Sequence, residues 1–409
     1  MTDISDVIAA NWPHQVEFLK SLVRVPSDNP PGDCALHAET AAAGLEALGF
    51  TVERHPVPES LVRKNGMSSA TNLIVRHTFG SGKGPVIALN GHGDVVPPGE
   101  GWTVDPYGAV EKDGALYGRG VAVSKSDFAT YAFALLALQN SGLPLDGGLE
   151  LHFTHDEEAG GEIGPKWLIE QGLTKATYAI SAGFSYAITV AHNGVLHLEV
   201  IVRGRQAHAA MPATGVDALA ASLPILAAIY GERRRLGGIV SAEKGIGSPQ
   251  ITVGLISGGI NTNVVPDRIT FRIDRRIIPE EDGAAVERAL IDLIKGASPA
   301  MPGLKVECRR IMLAEPLRPL PQVSRLVGAI EVHARDVLGV AVAPTGVPLY
   351  TDARHYAAAG IPTVLYGAGP RSILEANAHG ADEHLRLSDL RAATEIIARA
   401  LAELLAGSG

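Results

Sequence analysis

The sequence predicts an α/β fold built in two pieces and interrupted by a smaller α+β segment. Three observations predict it. Strand-like and helix-like stretches alternate up to about residue 192. From 193 to 312 the order changes to β-α-β-β-α-β, that of a ferredoxin-like unit. After 313 the α/β texture resumes, so 1–192 and 313–409 read as one discontinuous domain and 193–312 as an insertion.

The elements follow in order. ISDVIAANWPHQVEFLKSLVRV has apolar residues at helical spacing and stops at the turn-rich PSDNPPGD. HAETAAAGLEALG is a second helix ended by Gly49, and FTVERHPV alternates as a strand. TNLIVRH and PVIALNGHGD follow as strands. The second is apolar until its C-terminal end, as expected of a buried strand that delivers polar side chains to a sheet edge. ATYAFALLALQNSG is an apolar helix, and GGLELHFTHDEE a strand ending in charge. In the insertion, LHLEVIVRGR, SPQITVGLISGG, DRITFRIDRRII and LKVECRRIML are strands. GVDALAASLPILAAIYGERRR and EDGAAVERALIDLIKGA are its helices. The last piece holds a helix around VSRLVGAIEVHARDVLG, the strand IPTVLYGAG, and the closing helix RLSDLRAATEIIARALAELL.

Composition narrows the function. A chain of 409 residues holds two or three domains, each able to bury a core. A net charge of -9 without a basic block argues against nucleic acid or anionic membrane as partner. No apolar run reaches the ~18 residues of a membrane span, and the N-terminus has no signal-peptide pattern. Cys34 and Cys308 are too few for a disulfide framework and fit a reducing compartment, so the expected location is cytoplasmic.

The chemistry sits at strand ends. GHGDVVPPG carries His92, with Asp94 two residues on and on the same face of the chain. DEE places Glu157 and Glu158 side by side at another strand end. AHGADEH carries His379, with Glu375 and Glu383 nearby. The insertion adds His208 in GRQAHAAMP, Asn263 in GGINTNVVPD, and Arg276 beside Arg275 in FRIDRRI.

Together these stretches resemble the co-catalytic zinc hydrolases that include aminoacylase, acetylornithine deacetylase, succinyl-diaminopimelate desuccinylase and the glutamate carboxypeptidases. The resemblance covers nearly the whole chain. It implies a mixed-sheet metallopeptidase-type catalytic domain and casts the ferredoxin-like insertion as a lid and dimerisation domain. It casts His92, Glu158 and His379 as metal ligands, Asp94 as the carboxylate that orients His92, and Glu157 as the general base. By the same likeness His208 of one chain serves its partner's site in a homodimer, and Asn263 and Arg276 hold a substrate carboxylate. An arginine suits that task because its planar fork binds carboxylates bidentately.

Two family ligands are missing. The bridging aspartate of GRG-x-x-D-x-K is Val123, and the later glutamate falls on about Gly183. Asp127 reads mainly as part of a Ser124-x-x-Asp127 helix start, and only secondarily as a substitute ligand. Two dications ~3.5 Å apart repel by about 20 kcal/mol even at an effective dielectric of ~20, and valine offsets none of it. The expectation is therefore one divalent metal per chain, zinc first and manganese or cobalt as alternatives, rather than a dinuclear centre. The expected function is hydrolysis of an amide next to a carboxylate, in an N-acyl amino acid or a dipeptide-like substrate. The rival is a catalytically silent or metal-independent relative that binds a carboxylated ligand or performs a different hydrolytic or acyl-transfer reaction.

Overall fold

The computed structural model describes residues 2–372 and 374–407. The chain falls into two compact units. One comprises Met1–Val190, Pro319–Thr345 and Thr351–Gly409; the other comprises Ala191–Arg318 and Gly346–Tyr350.

The first unit is built on a mixed sheet. Its strands run in the order Val52–Pro56, Thr71–Phe79, Gly147–Thr154, Val86–His92, Tyr178–Ser181, Thr363–Leu365, Ile188–His192, Pro344–Val347. Val86–His92 pairs in parallel with both Gly147–Thr154 and Tyr178–Ser181, while Thr71–Phe79 pairs antiparallel with Gly147–Thr154. Gly147–Thr154 is buried along its whole length. Leu149, Leu151 and Phe153 line one face, while Glu150, His152 and Thr154 share the other and are hydrogen-bonded there.

One face is covered by the helices Ile4–Val23, Lys125–Ser141, Val323–Leu338 and Leu387–Leu404, with Ile87, Leu89, Phe128, Leu151 and Ile397 in the shared core. Short helices, Pro165–Glu170 and Ala353–Ala358, lie over the opposite side around Ala88, Ala179 and Tyr356. Parallel central strands with helices on both faces put their C-terminal ends at one edge, where an α/β sheet carries its site. A small sheet of Val110–Lys112, Ala115–Tyr117 and His384–Arg386, absent from the sequence expectations, ties the segment after His379 back to the body.

The second unit is a four-stranded antiparallel sheet in the order Gln250–Gly258, Arg268–Ile277, Gly194–Arg203, Lys305–Ala314. With Ala218–Leu236 and Gly283–Ala297 packed on it, this is the ferredoxin-like order. Leu196, Leu198, Val200 and Val202 alternate inward against Ile225, Ile229, Phe271 and Ile294. Both helices start on a capping aspartate. Asp217 accepts from the amides of Leu219 and Ala220, and Asp282 from that of Ala285.

Candidate active site

The two central parallel strands end at His92 and Thr154, so each delivers its following residues to the same edge. His92 is buried; its Nδ1 lies 3.0 Å from the Asp94 carbonyl oxygen and 3.3 Å from Asp94 Oδ1. Asp94 is fully buried and also organises the acidic turn. Its Oδ1 accepts from the Glu157 amide at 3.2 Å, and its Oδ2 from the Glu158 amide at 3.1 Å and from Asn29 Nδ2 at 3.0 Å. One carboxylate thereby fixes the imidazole and the backbone that carries both glutamates.

The glutamates sit on a 3-10 turn, Glu157–Ala159, rather than on the strand itself. They face different partners. Glu157 Oε2 is 4.0 Å from His92 Nε2, and Glu158 Oε1 is 3.3 Å from His379 Nε2. Burial pushes the Glu157 carboxyl well above the usual carboxylate range; His92 opposes that shift, while Glu158 and Asp94 add to it. Burial works against a charged His92, yet Glu157, Asp94 and Glu158 together hold its imidazole well above the ordinary value. The hydrogen bond to Glu158 raises His379. His379 is 53% exposed and has φ +63, in the left-handed region, within a loop where Asn377 and Asp382 share that conformation.

The glycines after the acids matter for space. A Cβ on Gly161 would stand 2.1 Å from Asp352 Oδ1, and one on Gly164 2.1 Å from Asp156 Oδ1. Asp352 escaped the sequence reading, because an acid just before a helix looks like a cap. It does not cap. It is 3% exposed, and neither carboxyl oxygen makes a hydrogen bond among the described residues. Burial, then repulsion from Glu157, pushes it well above the carboxylate range. Asn29 escaped too, since its PSDNPPG stretch reads as a plain turn.

The departures have structural reasons. Val123 packs against the core, and its amide donates to Glu383 Oε1. At Gly183, a Cβ would meet the Leu365 carbonyl carbon and the Tyr366 nitrogen at 2.7 Å each, so backbone fills the space a larger residue needs. The expected helix-start role of Asp127 is corrected. Ser124 precedes the helix Lys125–Ser141 without capping it, and its hydroxyl bonds the His92 amide and carbonyl instead. Asp127 is buried, and its Oδ1 accepts from the Ala368 amide at 2.8 Å. Glu375 is turned to Arg386 at 2.6 Å and Glu383 to Arg119 at 2.7 Å, so neither faces the histidines.

How well does this set suit a metal? Two ligands on a tetrahedral zinc, each ~2.0–2.1 Å from it, stand about 3.3–3.4 Å apart. The Glu158–His379 separation matches that value, and the His92–Glu157 separation is wider. Among the described residues, no three His, Cys, Asp or Glu side chains are gathered so as to hold a metal ion. The expected trio of His92, Glu158 and His379 is thus split: Glu158 and His379 pair, while His92 faces Glu157. The physical reason is the Asp94 clamp, which holds both the His92 imidazole and the Glu157 amide.

The other expected site residues lie in the second unit. His208 and Asn263 are neighbours there: the Ala209 amide donates to the Asn263 carbonyl at 3.0 Å, and His208 bridges Val264. The Arg276 fork already holds Asp274, with Nε to Oδ1 at 3.0 Å and Nη2 to Oδ2 at 3.2 Å. Arg275 is buried against Glu281.

Comparison with known proteins agrees with this architecture. Residues 88–403 match the model of Peptidase family M20/M25/M40. The chain is 29% identical over 397 residues to a succinyl-diaminopimelate desuccinylase of Gluconacetobacter diazotrophicus, covering 94% of this chain and 96% of the relative. It is 29% identical over 373 residues to an acetylornithine deacetylase of Myxococcus xanthus, covering 90% and 91%. The crystal structure of aminopeptidase PepT from Bacillus cereus superposes with a TM-score of 0.73 at 23% identity, covering 96% of this chain and 99% of that one. The chain therefore belongs to Peptidase family M20/M25/M40, and it is a metal-dependent hydrolase of amide bonds.

Proposed function

We propose that this hydrolase releases the acyl group of an N-acyl amino acid, or splits a dipeptide-like substrate, beside a free carboxylate. Relatives named desuccinylase and deacetylase support that substrate class. The observation that carries the reading is the division of labour between adjacent glutamates: Glu157 faces His92, and Glu158 faces His379. Glu158 and His379 would hold one divalent metal, zinc first, with manganese or cobalt as alternatives. A metal bound there polarises a carbonyl and lowers the pKa of water.

Glu157 is the general base. Its raised affinity for protons suits it to take one from water near neutral pH and return it to the leaving amine. His92, held by Asp94, keeps a cationic imidazole beside Glu157 and limits the cost of its ionised form. In the second unit, His208 would stabilise the oxyanion across a homodimer, and Asn263 with Arg276 would take the substrate carboxylate. Arg276 would have to exchange Asp274 for that carboxylate.

The homodimer through the second unit draws support from its outer edge. Strand Gln250–Gly258 is an edge strand exposing Leu255 and Ile256, and the adjacent helix Ala218–Leu236 exposes Leu219, Leu223 and Tyr230 along one side. A cytoplasmic location fits the free thiols Cys34 and Cys308. Among the described residues, no helix is long and apolar enough to cross a membrane.

Metal analysis of protein purified without added metal, beside turnover of N-acetyl and N-succinyl amino acids, tests the proposal. One metal per chain, with activity lost in chelator and preference for acids over their neutral amides, is expected. Two metals per chain refutes the single site, and full activity in chelator refutes metal dependence.

A further inference from the structure

The segments that carry the two histidines are far apart in the chain, and one buried ion pair joins them. Arg119 is 1% exposed and Glu383 is 1% exposed. Arg119 Nη1 donates to Glu383 Oε2 at 2.7 Å, and Nη2 donates at 3.0 Å to each of the Pro98 and Gly380 carbonyls. Pro98 follows the His92–Asp94 segment, and Gly380 is next to His379. The guanidinium also lies over the Trp102 ring, 5.1 Å from its centroid, and Trp102 Nε1 donates to the same Pro98 carbonyl.

Glu383 grips the third loop. Its Oε2 accepts from the Gly120 amide at 3.2 Å, and its Oε1 from the amides of Ala122 and Val123 at 3.0 and 3.3 Å. The Gly118 amide donates to the Glu383 carbonyl. A buried carboxylate needs all its lone pairs met, and here arginine and backbone amides meet them. A buried cation, equally, is costly unless its donors meet acceptors; both terminal nitrogens of Arg119 do so, while its buried Nε makes no hydrogen bond among the described residues.

We propose that Arg119 and Glu383 are positioning residues. Arg119 fixes the 92–102 and 379–380 segments to each other, and Glu383 sets the 120–123 loop against both. The distance between Glu158 and His379 then depends on a pair that touches neither. An ordinary salt bridge needs only opposite charges. This hub needs an acceptor at 383, because its neighbours are N–H groups, and a forked donor at 119, because its targets are two carbonyls and a carboxylate. The polarity of the pair therefore cannot be reversed.

The link to metal binding rests on the reading of Glu158 and His379 as the metal pair; the hub itself does not. Hydrogen exchange and Co2+ binding test the two separately. In the unmodified protein the amides of Gly120, Ala122 and Val123 should exchange at least a hundredfold more slowly than unprotected loop amides. Free exchange there overturns the hub, whether or not any variant folds. In Glu383→Gln, protection at those amides should fall at least tenfold and the Co2+ dissociation constant rise at least tenfold. Amides of Gly147–Thr154 should keep their protection. Arg119→Lys, which loses the fork, should weaken Co2+ similarly while leaving the three amides protected. The double exchange Arg119→Glu with Glu383→Arg should restore neither property. If it restores both, a plain ion pair suffices and the proposal fails. Loosened amides with unchanged Co2+ affinity also overturn the positioning role. Protected amides in a protein that binds no Co2+ would keep the hub and sink the metal pair instead.

Discussion

Asp127 offers a test of stability that follows from burial alone. Its carboxyl is 1% exposed, and its Oδ1 accepts from the Ala368 amide. Burial pushes the carboxyl from 3.8 up to about 7, and the amide bond and His92 only partly oppose this. A folded-state value above the unfolded one means that the folded chain binds the extra proton. Stability therefore falls as pH rises from about 4 to about 7 and is flat above. At ~1.36 kcal/mol per unit, burying Asp127 costs roughly 4 kcal/mol at pH 8, where it is ionised, and about 1.5 kcal/mol at pH 5, where folding must protonate it. Asp127→Asn keeps the acceptor for Ala368 and cannot ionise. It should raise stability by about 1.5 kcal/mol at pH 5 and by 2 to roughly 4 kcal/mol at pH 8. Urea unfolding followed at both values measures the difference. A gain independent of pH, or a variant less stable at pH 8, would show that burial does not penalise the charge at this site.

Other outcomes follow from the same geometry. Glu157→Gln should lower turnover by roughly 10² to 10⁴ fold while metal content stays as in the parent, as steady-state rates beside elemental analysis would show. Gly183→Glu should fail to add a metal and should destabilise by at least ~2 kcal/mol, since its first side-chain atom meets backbone; Val123→Asp, free of that clash, should tighten metal binding in a titration. If the chain pairs through the second unit as proposed, Ile256→Glu on the exposed edge strand should halve the mass seen by light scattering, and an unchanged mass discards that interface. Asp274→Ala should free the Arg276 fork and lower KM for acidic substrates but not for their amides; equal changes for both refute a carboxylate role for Arg276.

Much of the fold was legible because periodicity reports burial directly. PVIALNGHGD and GGLELHFTHDEE read as buried strands ending in polar residues, and they became the parallel pair that ends at His92 and Thr154. The ferredoxin-like unit was equally plain, since LHLEVIVRGR alternates and the order β-α-β-β-α-β can be read along 193–312. What was illegible depends on partners distant in sequence. Asp352 and Asp127 both precede or open helices, where local chemistry favours acids as caps, and both are instead buried against remote segments. The split between the His92 and His379 pairs was hidden for the same reason. A list of ligand types does not say which oxygen faces which nitrogen, and here Asp94 decides that through two backbone amides. The hairpin Val110–Tyr117 went unseen because three-residue strands leave no period to read.

The crowding at Gly183 makes positions 123 and 183 unequal in what they can accept. An aspartate at 123 would change only a half-buried side chain. At 183 the neighbouring strand Thr363–Leu365 and the residue after it press on the glycine, so a larger side chain has nowhere to go. A chain given acids at both positions would have to move a strand before the second could enter. One position takes a substitution; the other is part of the architecture.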